Sequence, residues 1–127
     1  MKLYHFTNGK LAAKIMKEGI TKGAVCIPGK YGNFVMRVGY IWLTTDPVKG
    51  NQSWATRHLV KYDRTEYRLE IEIPDSEAGE LFDAETLDRA FPGAKLLFIG
   101  WPGSEKWRVW RGFIPPGWIK ECVKCEA

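Results

Sequence analysis

Disulfide chemistry is scarcely open to this chain. Its 127 residues include three cysteines, Cys26, Cys122 and Cys125. A secreted, disulfide-stapled fold carries an even set at closer spacing. Cys122 and Cys125 form a CxxC, but a structural zinc site takes four ligands, usually from two such pairs. Cys26, His5 and His58 sit at no ligand spacing, so the expectation is no metal. No apolar run approaches the length of a membrane span. Met1–His5 lacks the charged-then-apolar plan of a secretory leader. Repeats, low-complexity tracts and linkers are missing as well. The expectation is therefore one domain over residues 1–127, cytoplasmic and monomeric, with no membrane partner.

Charge of one sign is also modest, a formal +4. Lys10, Lys14, Lys17 and Lys22 read as a solvated helix face. A nucleic-acid partner is permitted by this balance but not indicated by it.

What is present is an order of elements. Leu3–Phe6 has strand character, and Thr7, Asn8 and Gly9 offer helix-cap chemistry. Leu11, Ala12, Ile15 and Met16 recur at helical spacing, and Gly19 follows where a left-handed cap needs glycine. Residues 21–39 are dense in glycine and read as a long loop with a short strand near Phe34–Met36. Tyr40–Thr44 reads as a buried strand. Asp46 and Pro47 predict the start of a second helix that carries Trp54, Arg57 and His58. Tyr67, Leu69, Ile71 and Ile73 alternate with Arg68, Glu70 and Glu72, a strand with one buried face. Asp83 predicts the cap of a short helix ended by Pro92 and Gly93. Lys95–Ile99, Trp107–Trp110 and Trp118–Val123 read as further strands. Helices early and strands late make an α+β chain.

Three segments carry chemistry. His5, at a strand end and followed by Phe6 and Thr7, can meet a sugar hydroxyl, although an isolated histidine is ordinarily a hydrogen-bonded structural residue. Trp42 in Gly39–Pro47 is ordinarily core, but can serve as a π platform for a cationic ring, worth ~1 kcal/mol or more when desolvated. Thr44 and Thr45 add hydroxyls beside it. Glu105, at a turn ahead of Trp107–Trp110, can stabilise an oxocarbenium-like centre; its plain reading is a solvated turn residue, with Lys106 beside it as a pairing partner.

Taken in order, these segments resemble the ADP-ribosyltransferase-like superfamily, which includes poly(ADP-ribose) polymerases and related bacterial toxins. Leu3–Thr7 looks like the family's first strand with its ribose-binding histidine, and Ile15–Ile20 like the helix and glycine that follow. Gly39–Thr44 looks like the strand whose aromatic residue stacks on nicotinamide, with tryptophan in place of the usual tyrosine. Ser104–Val109 sits where the family often places its catalytic glutamate. The likeness covers roughly the first sixty residues and the last twenty-five.

The resemblance implies split antiparallel β-sheets with two or three short helices, and NAD as substrate. His5, Phe6 and Thr7 would hold the adenosine-side ribose. Trp42 would stack on nicotinamide, Thr44 and Thr45 would orient it, and Trp54 and Arg57 would line the phosphate side. Glu105 would act with His5 and Trp42 as the glycosidic bond breaks, passing ADP-ribose to a protein or nucleic-acid acceptor. A toxin or a phage-encoded modifier would suit the size. Two rivals stand beside this. One is an RNA 2′-phosphotransferase-like enzyme using Arg57, Arg64, Arg68, Arg108 and Arg111. The other is a fold-retaining binder of a nucleotide or protein partner that has lost catalysis.

Overall fold

A computed structural model of the chain describes residues 1–56 and 63–125. The expected second-helix residues Arg57 and His58 lie outside them. The fold is α+β, with antiparallel strand pairing throughout its sheets.

Strand β1 (Lys2–Thr7) leads into helix α1 (Gly9–Glu18). The Asn8 side chain accepts the Leu11 N–H at 2.9 Å, closing the first turn. At the other end Gly19 adopts φ +80° and returns its N–H to the Ile15 carbonyl. Ile20 then pairs with Ile114 and is buried. Helix α1 buries Ala12 and Ile15, while Leu11 and Met16 stay exposed.

In residues 21–39 the short strand expected near Phe34–Met36 is present, but a second strand replaces much of the expected loop. They form a hairpin of β2 (Ala24–Pro28) and β3 (Phe34–Val38), a two-stranded sheet of its own. β2 is apolar on both faces and β3 is apolar but for Arg37, so the regular polar–apolar alternation that marks a half-buried strand is missing from the sequence. Strand β4 (Tyr40–Thr44) follows as expected.

No α-helix starts at Asp46. The Asp46 carboxylate accepts the Val48 N–H and the Asn51 side-chain amide, and the segment settles into short 3₁₀ turns at Lys49–Asn51 and Ser53–Thr56. Strand β5 (Tyr67–Glu72) buries Leu69 and Ile71, with Ile73 buried just beyond. A two-residue β6 (Leu81–Phe82) precedes helix α2 (Ala84–Ala90), where Asp83 and Thr86 form a reciprocal cap.

The expected strand at Lys95–Ile99 is instead a 3₁₀ turn over Ala94–Leu97. Its cause is Asp88, whose carboxylate accepts both the Gly93 and the Lys95 N–H and winds the chain. Strands β7 (Trp107–Arg111) and β8 (Ile119–Lys124) complete the fold.

The main sheet has the order β6-β7-β4-β1-β5-β8. β1 pairs with β5 over its whole length, and β4 pairs with β7 over its whole length. Between β1 and β4 the register holds at a single pair, Tyr4 with Thr44. The sheet is thus two three-stranded halves that touch at one point and then part. One core, around Leu3, Ile15, Leu69, Ile71 and Trp110, lies on the α1 side. A second, around Val25, Ile27, Leu87, Phe98 and Trp107, lies under the hairpin and α2. β4 contributes to both, Ile41 and Leu43 to the first and Tyr40 to the second, as a central strand should.

Candidate functional site

A cavity of about 480 Å³ is lined by residues of β1 and β4 on either side of that single pair. This volume falls in the range of small-molecule pockets. Its walls are chiefly aromatic: Tyr4, Phe6, Trp42, Trp54, Trp101 and Trp107. Polar groups are few and come from separate elements: His5, Thr7 and Asn8 from β1 and its cap, Thr44 from β4, then Gln52 and Arg64.

Trp42 is held edge-on by two neighbours, Phe98 at 5.6 Å and Trp107 at 5.8 Å between ring centroids. Such T-shaped contacts suit the aromatic quadrupole and fix the indole in the wall. On another wall, the Trp54 indole N–H donates to the Gln52 side-chain oxygen at 3.2 Å. Gln52 is itself buried, and its amide donates to the carbonyls of Asp46 and Val48. The Arg64 guanidinium stacks over the Trp54 ring at 5.1 Å and donates to the Trp54 carbonyl at 3.1 Å.

His5 has a defined protonation pattern. Its Nδ1 lies 3.0 Å from the Trp42 carbonyl oxygen. A carbonyl only accepts, so Nδ1 carries the proton and donates. Desolvation holds the imidazole below its ordinary value, outweighing that bond to Trp42. The ring is therefore neutral near pH 7, and Nε2 is an acceptor. A neutral acceptor beside an aromatic wall suits a hydroxyl donor such as a ribose.

The structure brings most of the residues chosen from the sequence to one place: His5, Phe6, Thr7, Trp42, Thr44 and Trp54 all line the cavity. Thr45 does not; its exposed hydroxyl donates to the Lys106 carbonyl at 3.4 Å. The Thr44 hydroxyl donates to the same carbonyl at 3.3 Å and accepts the Asp46 N–H. Glu105 lies exposed on the Ser104–Lys106 turn and is not part of the lining. Lys106 pairs with Asp46, 3.7 Å from its carboxylate. Burial works against the ionised form of Asp46, but the Val48 N–H, the Asn51 amide and Lys106 outweigh it and lower its pKa. Among the described lining residues there is no carboxylate.

Tyr4, Asn8, Leu11, Leu43, Gln52, Arg64, Leu97, Trp101 and Trp107 also line the cavity and were not marked as site residues by the sequence, although Arg64 appears in the phosphotransferase alternative. The high tryptophan content, six in all, is the one signal that pointed toward Trp101 and Trp107. Nothing in the sequence marks Gln52.

Burial pushes the thiols of Cys122 and Cys125 up. No cluster of three or more histidine, cysteine or acidic side chains suited to a metal occurs among the described residues. No helix among them is long and apolar enough to cross a membrane. In comparisons with known protein families, curated proteins and solved structures, nothing matches this chain.

Proposed function

We propose that the cavity binds NAD, and that the chain is an ADP-ribosyltransferase-like protein. The observation that carries this reading is the meeting of His5 and Trp42 on one aromatic cavity where β1 and β4 part. The Trp42 indole supplies a π face for the cationic ring. His5 Nε2 accepts from a ribose hydroxyl. Arg64, over the Trp54 ring, brings a cation to the cavity lining with which phosphate oxygens would pair. Transfer breaks the bond between C1′ and the nicotinamide nitrogen, which leaves with the bonding pair. An acceptor nucleophile bonds to C1′ and gives up its proton. That step needs a carboxylate near the ribose. In this reading Glu105 supplies it by turning inward on binding, two residues ahead of the cavity-lining Trp107.

A second reading is a binder of the same nucleotide class without transfer. The lack of a carboxylate among the described lining residues favours it. Calorimetry with NAD and ADP-ribose, run beside an assay of nicotinamide release, separates the two. NAD binding with release, abolished in Glu105→Gln, supports transfer. Binding without release supports the binder. No nucleotide binding at all, or binding unchanged in both His5→Ala and Trp42→Phe, sinks both readings.

A further inference from the structure

The hairpin of β2 and β3 presents a second surface, away from the lining of the cavity. Among the described residues β3 pairs only with β2, so it is an edge strand. The register decides which backbone groups are used. Gly39 donates to the Gly23 carbonyl and Gly29 to the Asn33 carbonyl. With the pairing of Val25 to Arg37 and Ile27 to Val35, the hydrogen-bonded positions on β3 are Val35 and Arg37. The N–H and C=O groups of Phe34, Met36 and Val38 therefore point away from β2, along the open edge.

The same three residues are exposed, Phe34 at 43%, Met36 at 64% and Val38 at 83%. Opposite them on β2 lie Pro28, Cys26 and Ala24, so the outer face is apolar across both strands. Natural edge strands are usually blunted by charge, proline, bulges or cover. Here the edge residues are apolar and the strand contains no proline. Arg37 projects on the other face, over the Phe91 ring at 5.3 Å. From Gly19 to Thr45 the chain has Lys22, Lys30 and Arg37 and no acidic residue.

We propose that β3 is a docking edge for an extended segment of a partner protein in which apolar and acidic residues alternate. The added strand bonds to the open backbone groups of Phe34, Met36 and Val38. Its apolar side chains continue the outer face beside Phe34, Met36 and Val38. Its acidic side chains fall on the opposite face, toward Arg37, with Lys22 and Lys30 contributing to the local field. Charge argues against a second copy of this edge as the occupant, because each hairpin would bring the same cations and no acid of its own to the contact.

The test uses the full chain and synthetic peptides of about eight residues, one alternating glutamate with valine and one alternating lysine with valine. Fluorescence anisotropy should show saturable binding of the glutamate peptide, weakened by salt, and slower alkylation of Cys26 in its presence. Met36→Pro removes an outward N–H that β2 does not use, so the hairpin should persist by amide chemical shifts of residues 24–28. Affinity for the glutamate peptide should fall about tenfold or more in Met36→Pro. Arg37→Glu, which leaves the edge intact, should produce a similar fall and shift preference to the lysine peptide. Unchanged binding in both variants, or equal binding of both peptides to the native chain, overturns the proposal. So does concentration-dependent dimerisation in sedimentation velocity that Met36→Pro abolishes, which would assign the edge to a second copy.

Discussion

The Nδ1 of His5 lies 3.0 Å from the carbonyl oxygen of Trp42, a bond between the two strands that part beside the cavity. It links the two residues on which the functional reading depends and leaves Nε2 as an acceptor. Burial of the same ring, working against that bond, makes the protein sensitive to mild acid. The imidazole is held below its ordinary value of 6.5 by desolvation.

The sign follows from comparing the folded and unfolded chains. Well above pH 6.5 His5 is neutral in both, and it adds no pH dependence. As the pH falls, the unfolded chain takes up the proton first, and stability is lost until the folded-state value is reached. Urea midpoints between about pH 5 and 7.5 should therefore fall more steeply in the native protein than in His5→Gln, which keeps a donor for Trp42 but cannot titrate. Parallel curves for the two proteins would show that His5 is not the group responsible.

Asp46 should behave in the opposite sense. Its carboxylate is almost buried and holds the turn after β4 through Val48, Asn51 and Lys106. Its lowered pKa means that it contributes stability above its ordinary value of 3.8, and that this is lost as pH falls through the folded-state value. Asp46→Ala should cost about 1–3 kcal/mol in chemical denaturation near neutral pH. Loss of less than a few tenths of a kcal/mol would mean that water replaces its partners without penalty.

Asp46 also shows where the sequence could mislead. An Asp-Pro pair is a good helix start, and the expectation of a second helix rested on it. The carboxylate instead caps a local turn, and Gly50 and Asn51 follow too soon for helical propensity to recover. The first strand and helix were legible because Asn8, Gly19 and the spacing of Ala12 and Ile15 agree at every level. β5 was legible from its alternation. Of the hairpin only the strand near Phe34–Met36 was legible, because Ala24–Pro28 is apolar on its buried and exposed faces alike and Phe34–Val38 is largely exposed, so alternation marks neither as half-buried. Of the site, His5 and Trp42 stood out by residue type. Gln52, Trp101 and Arg64 reach the cavity only through the folding of distant turns, which periodicity does not encode.

Two glycines with nearly the same backbone separate strain from crowding. Gly19 has φ +80° and Gly32 has φ +81°. A Cβ at Gly32 would meet nothing within 4 Å, whereas at Gly19 it would run into the Ile114 carbonyl oxygen and the Pro116 ring. Gly32→Ala should cost about 1 kcal/mol, the left-handed conformation alone. Gly19→Ala should cost clearly more, about 3 kcal/mol or above, because the Ile20–Ile114 bridge beside it must shift too. Thermal or urea unfolding decides this, and equal losses would place the penalty in the backbone conformation only.

Gln52 should couple the loop after β4 to the aromatic wall. Its amide donates to the Asp46 and Val48 carbonyls, and its oxygen accepts the Trp54 indole N–H. Gln52→Leu keeps the bulk of the side chain but leaves these buried groups without partners, so it should cost about 2–4 kcal/mol. Trp54→Phe removes only the indole N–H and some ring area. If the bond between them orients the indole, the double variant should lose less than the sum of the singles, with a coupling of about 0.5–1.5 kcal/mol. The same cycle read by nucleotide affinity tests whether the orientation matters to binding, since Arg64 stacks on that ring. Coupling in stability without coupling in affinity would make Gln52 a structural latch. Coupling in both would make it a positioning residue, because an indole free to rotate also releases the guanidinium it supports.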